Sequence, residues 1–194
     1  MPAHDLATEP TLVGELVELR PFTGADAPRM AQILSDPEVR RLTGSVDTSA
    51  EAEQAQPVDD HLVRWYTTRA EQPDRLDLAL VDRATGVVQG EVVLNEYDDD
   101  GRVANLRCLV GPDGRDRGLG TEAVRLVCDY ALEVAGLERL TLEVFEFNPR
   151  ARRVYEKVGF VQTGTRLEAL VFDGVAVAAV DMELTRRSGS AASR

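Results

Sequence analysis

The most regular hydrophobic pattern of the chain is helical and lies between residues 119 and 134. Steps of three and four residues place its apolar side chains on one face of a predicted central helix. These side chains are Leu119, Ala123, Leu126, Val127, Tyr130 and Val134. An apolar strand, residues 105–110, precedes the helix and ends at the turn signal Gly111-Pro112. A glycine-rich loop, residues 115–120, joins them, so the pattern predicts a strand, a loop and a helix.

Alternating apolar and polar residues before this unit predict an antiparallel meander. A first strand is expected over residues 12–20, ended by Pro21. Two further strands, residues 76–81 and 87–97, are joined by a hairpin at residues 84–86. The acidic turn at residues 98–101 then leads into the strand before the loop.

Two helical regions are predicted between the first strand and the meander. Residues 23–35 form a short helix that Asp36-Pro37 ends. A second helix lies within residues 49–70, with Pro57 either in its first turn or at a kink. Its apolar stripe is interpreted as core in preference to a ligand pocket. The stripe consists of Val58, Leu62, Trp65 and Tyr66.

After the central helix, Gly136 is a candidate C-cap and residues 140–147 alternate as a strand. The central helix therefore connects two parallel strands by a right-handed crossover. Asn148 and Pro149 are predicted as the N-cap and first residue of another helix, which Gly159 ends. Two last strands, residues 160–167 and 175–184, complete the sheet as a hairpin about residues 173 and 174.

The composition is that of one globular domain. Of the 194 residues, 43% are hydrophobic, and we divide the chain into an N-terminal extension (1–11), a single domain (12–185) and a disordered tail (186–194). The 34 acidic and 22 basic residues give a net charge of −12, which argues against nucleic-acid binding and favours a cationic partner or substrate. No apolar run is long enough for a membrane span.

The two cysteines, Cys108 and Cys128, lie in apolar patterns without the spacing of metal ligands. We interpret them as buried thiols in a reducing compartment, which predicts a cytoplasmic location. No metal site is expected.

The loop from Arg115 to Thr121 offers unpaired backbone N–H groups and the positive end of a helix dipole, which both suit a phosphate or diphosphate. A P-loop requires Lys and Ser or Thr after its last glycine, whereas Gly120 is followed by Thr121-Glu122. The P-loop interpretation therefore fails. A glycine-rich turn without any ligand stays open.

The spacing Gly118-x-Gly120-x-x-Ala123 also matches a dinucleotide-binding fingerprint, with Glu138 or Glu143 as the downstream acidic residue. The predicted antiparallel meander argues against it, because that fold requires parallel strands joined by crossovers.

Residues 140–160, LTLEVFEFNPRARRVYEKVGF, resemble motif B of the GNAT acetyltransferases, and Arg115-x-x-Gly118-x-Gly120 resembles their motif A. The opening strand and the late hairpin are similar to the RimJ/RimL-like branch. The resemblance covers roughly residues 12–184. It implies an α/β (α+β) fold, in which a mixed, mostly antiparallel sheet of about seven strands is splayed at its central strands and has helices on both faces.

The resemblance implies acetyl-CoA (coenzyme A) as the cofactor and transfer of its acetyl group to a primary amine by direct attack in a ternary complex. The alternative is a non-catalytic acyl-CoA-binding or regulatory protein of the same fold. The expected cofactor-binding residues are Leu109, Val110, Arg115, Asp116, Arg117, Gly118, Leu119, Gly120, Thr121, Asn148 and Tyr155.

Tyr155 is expected, by the same resemblance, to donate a proton to the leaving thiolate. Glu91, Glu143 and Glu146 lie on strands that can reach the splay, and a solvated surface position is the alternative for each. Glu91 and Glu143 are the candidate general bases. The acceptor is expected to be an amine of a small molecule or a protein, with a cationic amine favoured by the net charge. The protein is expected to be a monomer or homodimer. The candidate acceptor contacts are Trp65, Tyr66 and Asn105.

Overall fold

The structure, a computed structural model, describes residues 10–54, 59–69, 72, 74–98 and 102–186. Four of the predictions lie wholly or mainly outside these residues. They are the N-terminal extension, the helix start at Pro57 and Val58, the acidic turn at residues 99–101 and the C-terminal tail.

The described residues contain eight strands in one sheet. They are β1 (Leu12–Val13), β2 (Val17–Pro21), β3 (Leu76–Asp82), β4 (Val87–Asn95), β5 (Val103–Val110), β6 (Arg139–Phe145), β7 (Val161–Phe172) and β8 (Val175–Thr185). Their order across the sheet is β1-β2-β3-β4-β5-β6-β8-β7. All neighbours are antiparallel except β5 and β6, which are parallel. The predicted mixed, mostly antiparallel sheet is confirmed, and the dinucleotide-binding alternative is wrong.

Six α-helices are present in the described part of the chain. They are α1 (Ala27–Leu34), α2 (Pro37–Leu42), α3 (Ser49–Ala52), α4 (Asp60–Thr67), α5 (Leu119–Asp129) and α6 (Pro149–Val158). The π-helical turn Tyr130–Val134 continues α5. No described helix is both long and apolar enough to cross a membrane.

Two of the helix predictions need correction. Asp36-Pro37 follows the end of α1, as expected, but it also begins α2. The Asp36 carboxylate accepts the N–H of Val39 at 2.8 Å, and Pro37 occupies the first helical position, so the same dipeptide both ends and starts a helix. The single helix expected within residues 49–70 is two helices, α3 and α4.

Helices cover both faces of the sheet. Leu78 and Leu80 of β3 pack in the cluster that includes α5, whereas Ala79 and Val81 pack in the cluster that includes α1. All seven residues of β3 are therefore buried, and the strand is apolar at nearly every position instead of alternating. This arrangement fixes β4 and β5 between two helical layers.

The first predicted strand is two strands. The chain turns after Gly14, and β1 folds back onto β2. The carboxylate of Glu122 on α5 holds this turn, because it accepts the backbone N–H groups of Glu15, Leu16 and Val17 at 2.9, 2.7 and 2.8 Å. A Cβ at position 14 would lie 2.6 Å from the Glu122 carboxylate, so a larger residue there would displace that carboxylate from its three N–H donors.

We predict that Glu122→Gln lowers the free energy of unfolding by about 1–3 kcal/mol, because a charged acceptor of three N–H groups is replaced by a neutral one. Partial burial acts to raise the pKa of Glu122, but the three N–H donors outweigh it and hold that pKa below its ordinary value of 4.5. The deficit of the variant should therefore be complete above that value and disappear as the pH falls through the lowered pKa. Denaturant unfolding as a function of pH measures it.

Glu133→Gln is the matched control, because Glu133 lies further along the same helical segment and is exposed. An equal loss of stability in both variants would contradict the role given to the Glu122 carboxylate.

Candidate active site

The parallel strands β5 and β6 pair at one end only. Val103 pairs with Arg139 and Asn105 with Thr141, and no further pair joins the described residues of these two strands. Beyond Asn105 each strand keeps its antiparallel partner on the other side, β4 or β8. The strands thus separate around a cleft of about 1460 Å³, lined also by the loop before α5 and by α6.

The start of α5 forms one wall of this cleft. Gly118 has a φ of 83°, in the left-handed region that favours glycine, and Leu119 begins the helix. The N–H groups of the first turn have no acceptor within the helix, and they carry the positive end of the helix dipole. Gly120 and Thr121 line the cleft beside them. The wall therefore suits the diphosphate of coenzyme A.

The two arginines of the loop are engaged with carboxylates. Arg115 lines the cleft and pairs with Asp36 at 3.0 Å and with Glu38. Arg117 pairs with Asp82 at 2.8 Å and is not among the described residues that line the cleft. Both cations are thus already compensated, and the sequence alone did not indicate their partners.

Four other residues that were predicted to bind the cofactor belong to the same cleft. Leu109, Val110, Asn148 and Tyr155 all line it. Asn148 caps α6, since its Oδ1 accepts the N–H of Ala151 at 3.1 Å. Its side-chain NH₂ group has no recorded partner in the described chain and is available as a donor.

Tyr155 lies two turns after Asn148, is 6% exposed and packs edge-on against Phe160 with ring centroids 5.8 Å apart. Its hydroxyl makes no hydrogen bond to another described residue. Burial raises the pKa of Tyr155, and the neighbouring thiols of Cys108 and Cys128 act in the same direction. The phenol therefore keeps its proton at neutral pH and can act as a donor at the cleft.

Glu91 lies on β4 opposite Leu109 of β5, at the level where β5 and β6 have separated. The hydroxyl of Tyr66 donates to its Oε2 at 3.3 Å. Burial, assisted by the charge of Asp77, raises the pKa of Glu91 to about 7, against the opposing effects of Arg107 and Tyr66. A carboxylate with this pKa is half ionised near neutral pH and can accept a proton from an amine.

A second, smaller cavity of about 260 Å³ lies on the side of α4. Trp65 and Tyr66 both line it, as do Glu91 and Arg107, and the last two also line the large cleft. The predicted acceptor contacts of α4 and one predicted base are therefore brought together. The core interpretation of the stripe applies to Tyr66, which is buried against Phe22, and not to Trp65, which is 42% exposed.

Two other candidates lie elsewhere in the large cleft. Asn105 marks the last pair of β5 with β6, and its Nδ2 donates to Oδ1 of Asn95 at 3.0 Å. Glu143 lies on β6 and pairs with Arg166. Neither lines the smaller cavity.

This site can be compared with those of known proteins. The family model of the acetyltransferase (GNAT) domain matches residues 17–161, three quarters of the chain. The chain belongs to the GNAT acetyltransferase family. It is an N-acetyltransferase, and acetyl-CoA is its cofactor.

Named relatives of this GNAT acetyltransferase are distant. Spermidine N(1)-acetyltransferase of Escherichia coli (strain K12) is 27% identical over 158 residues, 81% of this chain and 80% of that protein. Alpha/beta-tubulin-N-acetyltransferase 9 of Homo sapiens is 26% identical over 167 residues, with coverages of 79% and 76%. The crystal structure of spermidine N-acetyltransferase from Vibrio cholerae in complex with CoA and spermine has a TM-score of 0.77 at 19% identity, covering 89% of this chain and 97% of that one.

Several residues that line the two cavities were not predicted from the sequence. Arg107 is two residues before Leu109 on β5, so strand alternation could have placed it on the side of Glu91. Asp77 and His61 of the smaller cavity, and Glu38 of the cofactor cleft, come from other elements. Local sequence patterns do not predict contacts between residues of such distant elements.

We predict that Gly120→Asp weakens coenzyme A binding at least about tenfold, equivalent to about 1.4 kcal/mol, because it places a carboxylate at the start of α5 where phosphate charge is expected. Isothermal titration calorimetry measures the affinity. Gly120→Ala is the control, since it adds the same Cβ, 3.2 Å from Cγ2 of Val110, without a charge. Unchanged binding in the aspartate variant would move the diphosphate away from α5.

Proposed function

We propose that this chain acetylates a primary amine that reaches Glu91 from the smaller cavity, with Glu91 as general base and Tyr155 as general acid. One observation carries the proposal: a carboxylate with a pKa of about 7 lies where the smaller cavity meets the cofactor cleft. Such a residue can remove a proton from an ammonium group close to the point of transfer.

The residues around the splay are suited to hold the cofactor. The edge of β5 that faces the cleft supplies backbone groups of Leu109 and Val110, and Asn148 supplies a side-chain donor. The first turn of α5, with Gly120 and Thr121, supplies N–H groups for phosphate oxygens. Acetyl-CoA supplies the activated acetyl group when it is bound there.

The proton transfers follow from the two titratable groups. Glu91 accepts the proton that the amine nitrogen loses as it bonds to the acetyl carbon. Tyr155 donates its phenolic proton to the sulfur as the bond between that sulfur and the acetyl carbon breaks. An acceptor that arrives as an ammonium ion first loses one proton to solvent through Glu91. The products are an amide and a free thiol, and transfer of a proton from Glu91 to the Tyr155 phenolate through solvent restores both residues, so atoms and charges balance.

Direct attack is favoured over a covalent cysteine. Burial, with a contribution from the charge of Glu91, raises the pKa of Cys108 to about 12, and burial raises that of Cys128 as well. A thiol with such a pKa is not a nucleophile at neutral pH. Glu143 is the less suitable base, because Arg166 already compensates its charge.

The proposal also covers the class of acceptor, the branch of the family, the location of the protein and its oligomeric state. The net charge of −12 favours an amine that arrives as an ammonium ion, and relatives named for spermidine acetylation act on amines of this kind. We place the chain in the RimJ/RimL-like branch on its opening strand and late hairpin, with residues 12–185 as one domain. Two free thiols fit a cytoplasmic protein. It would act as a monomer or homodimer without nucleic acid.

We predict that kcat/KM for an amine acceptor falls as the pH drops below about 7, because protonated Glu91 cannot accept a proton. Glu91→Gln should lower kcat by at least about 100-fold and abolish this limb of the pH profile. Glu143→Gln tests the other base and should keep the limb. Glu143 is the general base instead of Glu91 if Glu143→Gln removes this limb of the pH profile and Glu91→Gln keeps it.

We predict that Tyr155→Phe lowers turnover at least about tenfold, because it removes the proton donor, while water partly substitutes. The affinity for coenzyme A and the ring packing on Phe160 should be preserved. Single-turnover kinetics measures the chemical step. Tyr97→Phe is the control, since it removes another buried hydroxyl outside the residues lining the cleft. Full activity of Tyr155→Phe in the chemical step would leave Tyr155 a packing residue.

A further inference from the structure

The smaller cavity and the cofactor cleft share two lining residues, Glu91 and Arg107. Glu91 lies opposite Leu109, and Arg107 lies opposite Val93, so the two side chains come from successive same-face positions of the neighbouring strands β4 and β5. An amine that extends from the smaller cavity towards the thioester therefore passes between a base and a permanent cation.

Arg107 is an exposed guanidinium without a hydrogen-bond or ion-pair partner in the described part of the chain. The other described arginines that line the two cavities all have partners: carboxylates for Arg75, Arg115, Arg150 and Arg166, aromatic rings for Arg41 and a backbone carbonyl for Arg153.

The acidic groups near Arg107 are committed to other roles. Asp77 receives two hydrogen bonds from Arg75, at 2.5 and 2.7 Å. Glu91 accepts a hydrogen bond from the hydroxyl of Tyr66. It is also the proposed base, which loses its negative charge when it takes up a proton in each turnover. Arg107 therefore has five N–H donors in a planar fork, and no anion among the described residues is dedicated to them.

We propose that Arg107 binds a carboxylate of the acceptor, next to the reacting amine, so that the acceptor is an α-amino acid and not a polyamine. This inference rests on the proposed function of the same site. The fork of a guanidinium matches a carboxylate in a bidentate pair, and the amino group would then lie towards Glu91. A polyamine would bring a second cation close to Arg107, where the like charges repel.

The smaller cavity also indicates the side chain of the acceptor. Its volume of about 260 Å³ is below the range of about 300–1,000 Å³ that is common for drug-sized ligands. Leu34, Leu62, Trp65 and Val93 give it an apolar part. His61, Arg75 and Asp77 give it a polar part as well. A single amino-acid side chain suits this size, with its apolar atoms against the aliphatic and aromatic wall.

The test compares acceptors that differ only in the carboxylate. Thiol release from acetyl-CoA is measured with L-phenylalanine and L-leucine, with their decarboxylated amines phenethylamine and isoamylamine, and with spermidine. We expect kcat/KM to be about 10- to 100-fold higher for the amino acids than for the matched amines, as a charge-assisted pair implies. Arg107→Gln should remove this ratio.

The ratio of kcat/KM between an amino acid and its matched amine distinguishes carboxylate binding by Arg107 from an effect of Arg107 on catalysis. Loss of Arg107 also changes the electrostatic environment of Glu91, and the matched amines, which carry no carboxylate, report that change on its own. Arg102→Gln is the control variant, because Arg102 immediately precedes β5 and pairs with Glu138 away from both cavities. It should keep the wild-type preference.

Equal or better turnover of the decarboxylated amines or spermidine by the wild type overturns this inference and leaves the proposed function intact. If neither the amines nor the amino acids are acetylated, the proposed function fails. Calorimetry with N-acetyl-L-phenylalanine in the presence of coenzyme A then tests separately whether Arg107 binds a carboxylate. Binding that Arg107→Gln weakens about 10- to 100-fold supports the carboxylate site. Absence of binding, or equal binding by both proteins, refutes it.

Discussion

The separation of β5 from β6 is the constraint on which the site depends. Adjacent parallel strands normally continue their ladder, because an unpaired backbone group loses a hydrogen bond. Here the ladder stops at Asn105 with Thr141, while β4 and β8 hold the outer edges of the two strands. The inner edges are thereby left for a ligand. The same separation opens the cleft between the start of α5 and α6, which brings Gly120 and Tyr155 to one cavity.

The charges around the cleft are distributed unevenly. At the phosphate end, Arg115 is held by Asp36 and Glu38, and Arg150 by Glu38. These pairs join α2 to the cofactor loop and to α6, but they reduce the positive charge available to a diphosphate. We therefore expect backbone N–H groups of α5 to provide much of the phosphate recognition. At the acceptor end the opposite holds, since Arg107 has no partner of its own in the described chain.

Local signals account for what could be predicted from the sequence. The Asn148 cap, the turn at Gly159 with a φ of 118°, the crossover helix and the final hairpin all depend on neighbours within a few residues. The break between β1 and β2 could not be predicted this way, because Glu122, more than 100 residues away, holds the turn. The partners of Arg117 and the position of Arg107 beside Glu91 likewise depend on how strands pair.

Burial raises the pKa of both proposed catalytic groups, Glu91 and Tyr155. It raises the pKa of Glu91 to about 7, which makes a stronger base, and it raises the pKa of Tyr155, so that the phenol stays protonated at neutral pH but is a weaker acid than a free tyrosine. The charge of Arg107 lowers both values. A carboxylate bound to Arg107 would offset that influence, so an anionic acceptor would raise the basicity of Glu91 once it is in place. Arg107 would thereby couple binding of the acceptor to the basicity of Glu91, which deprotonates the amine of the acceptor.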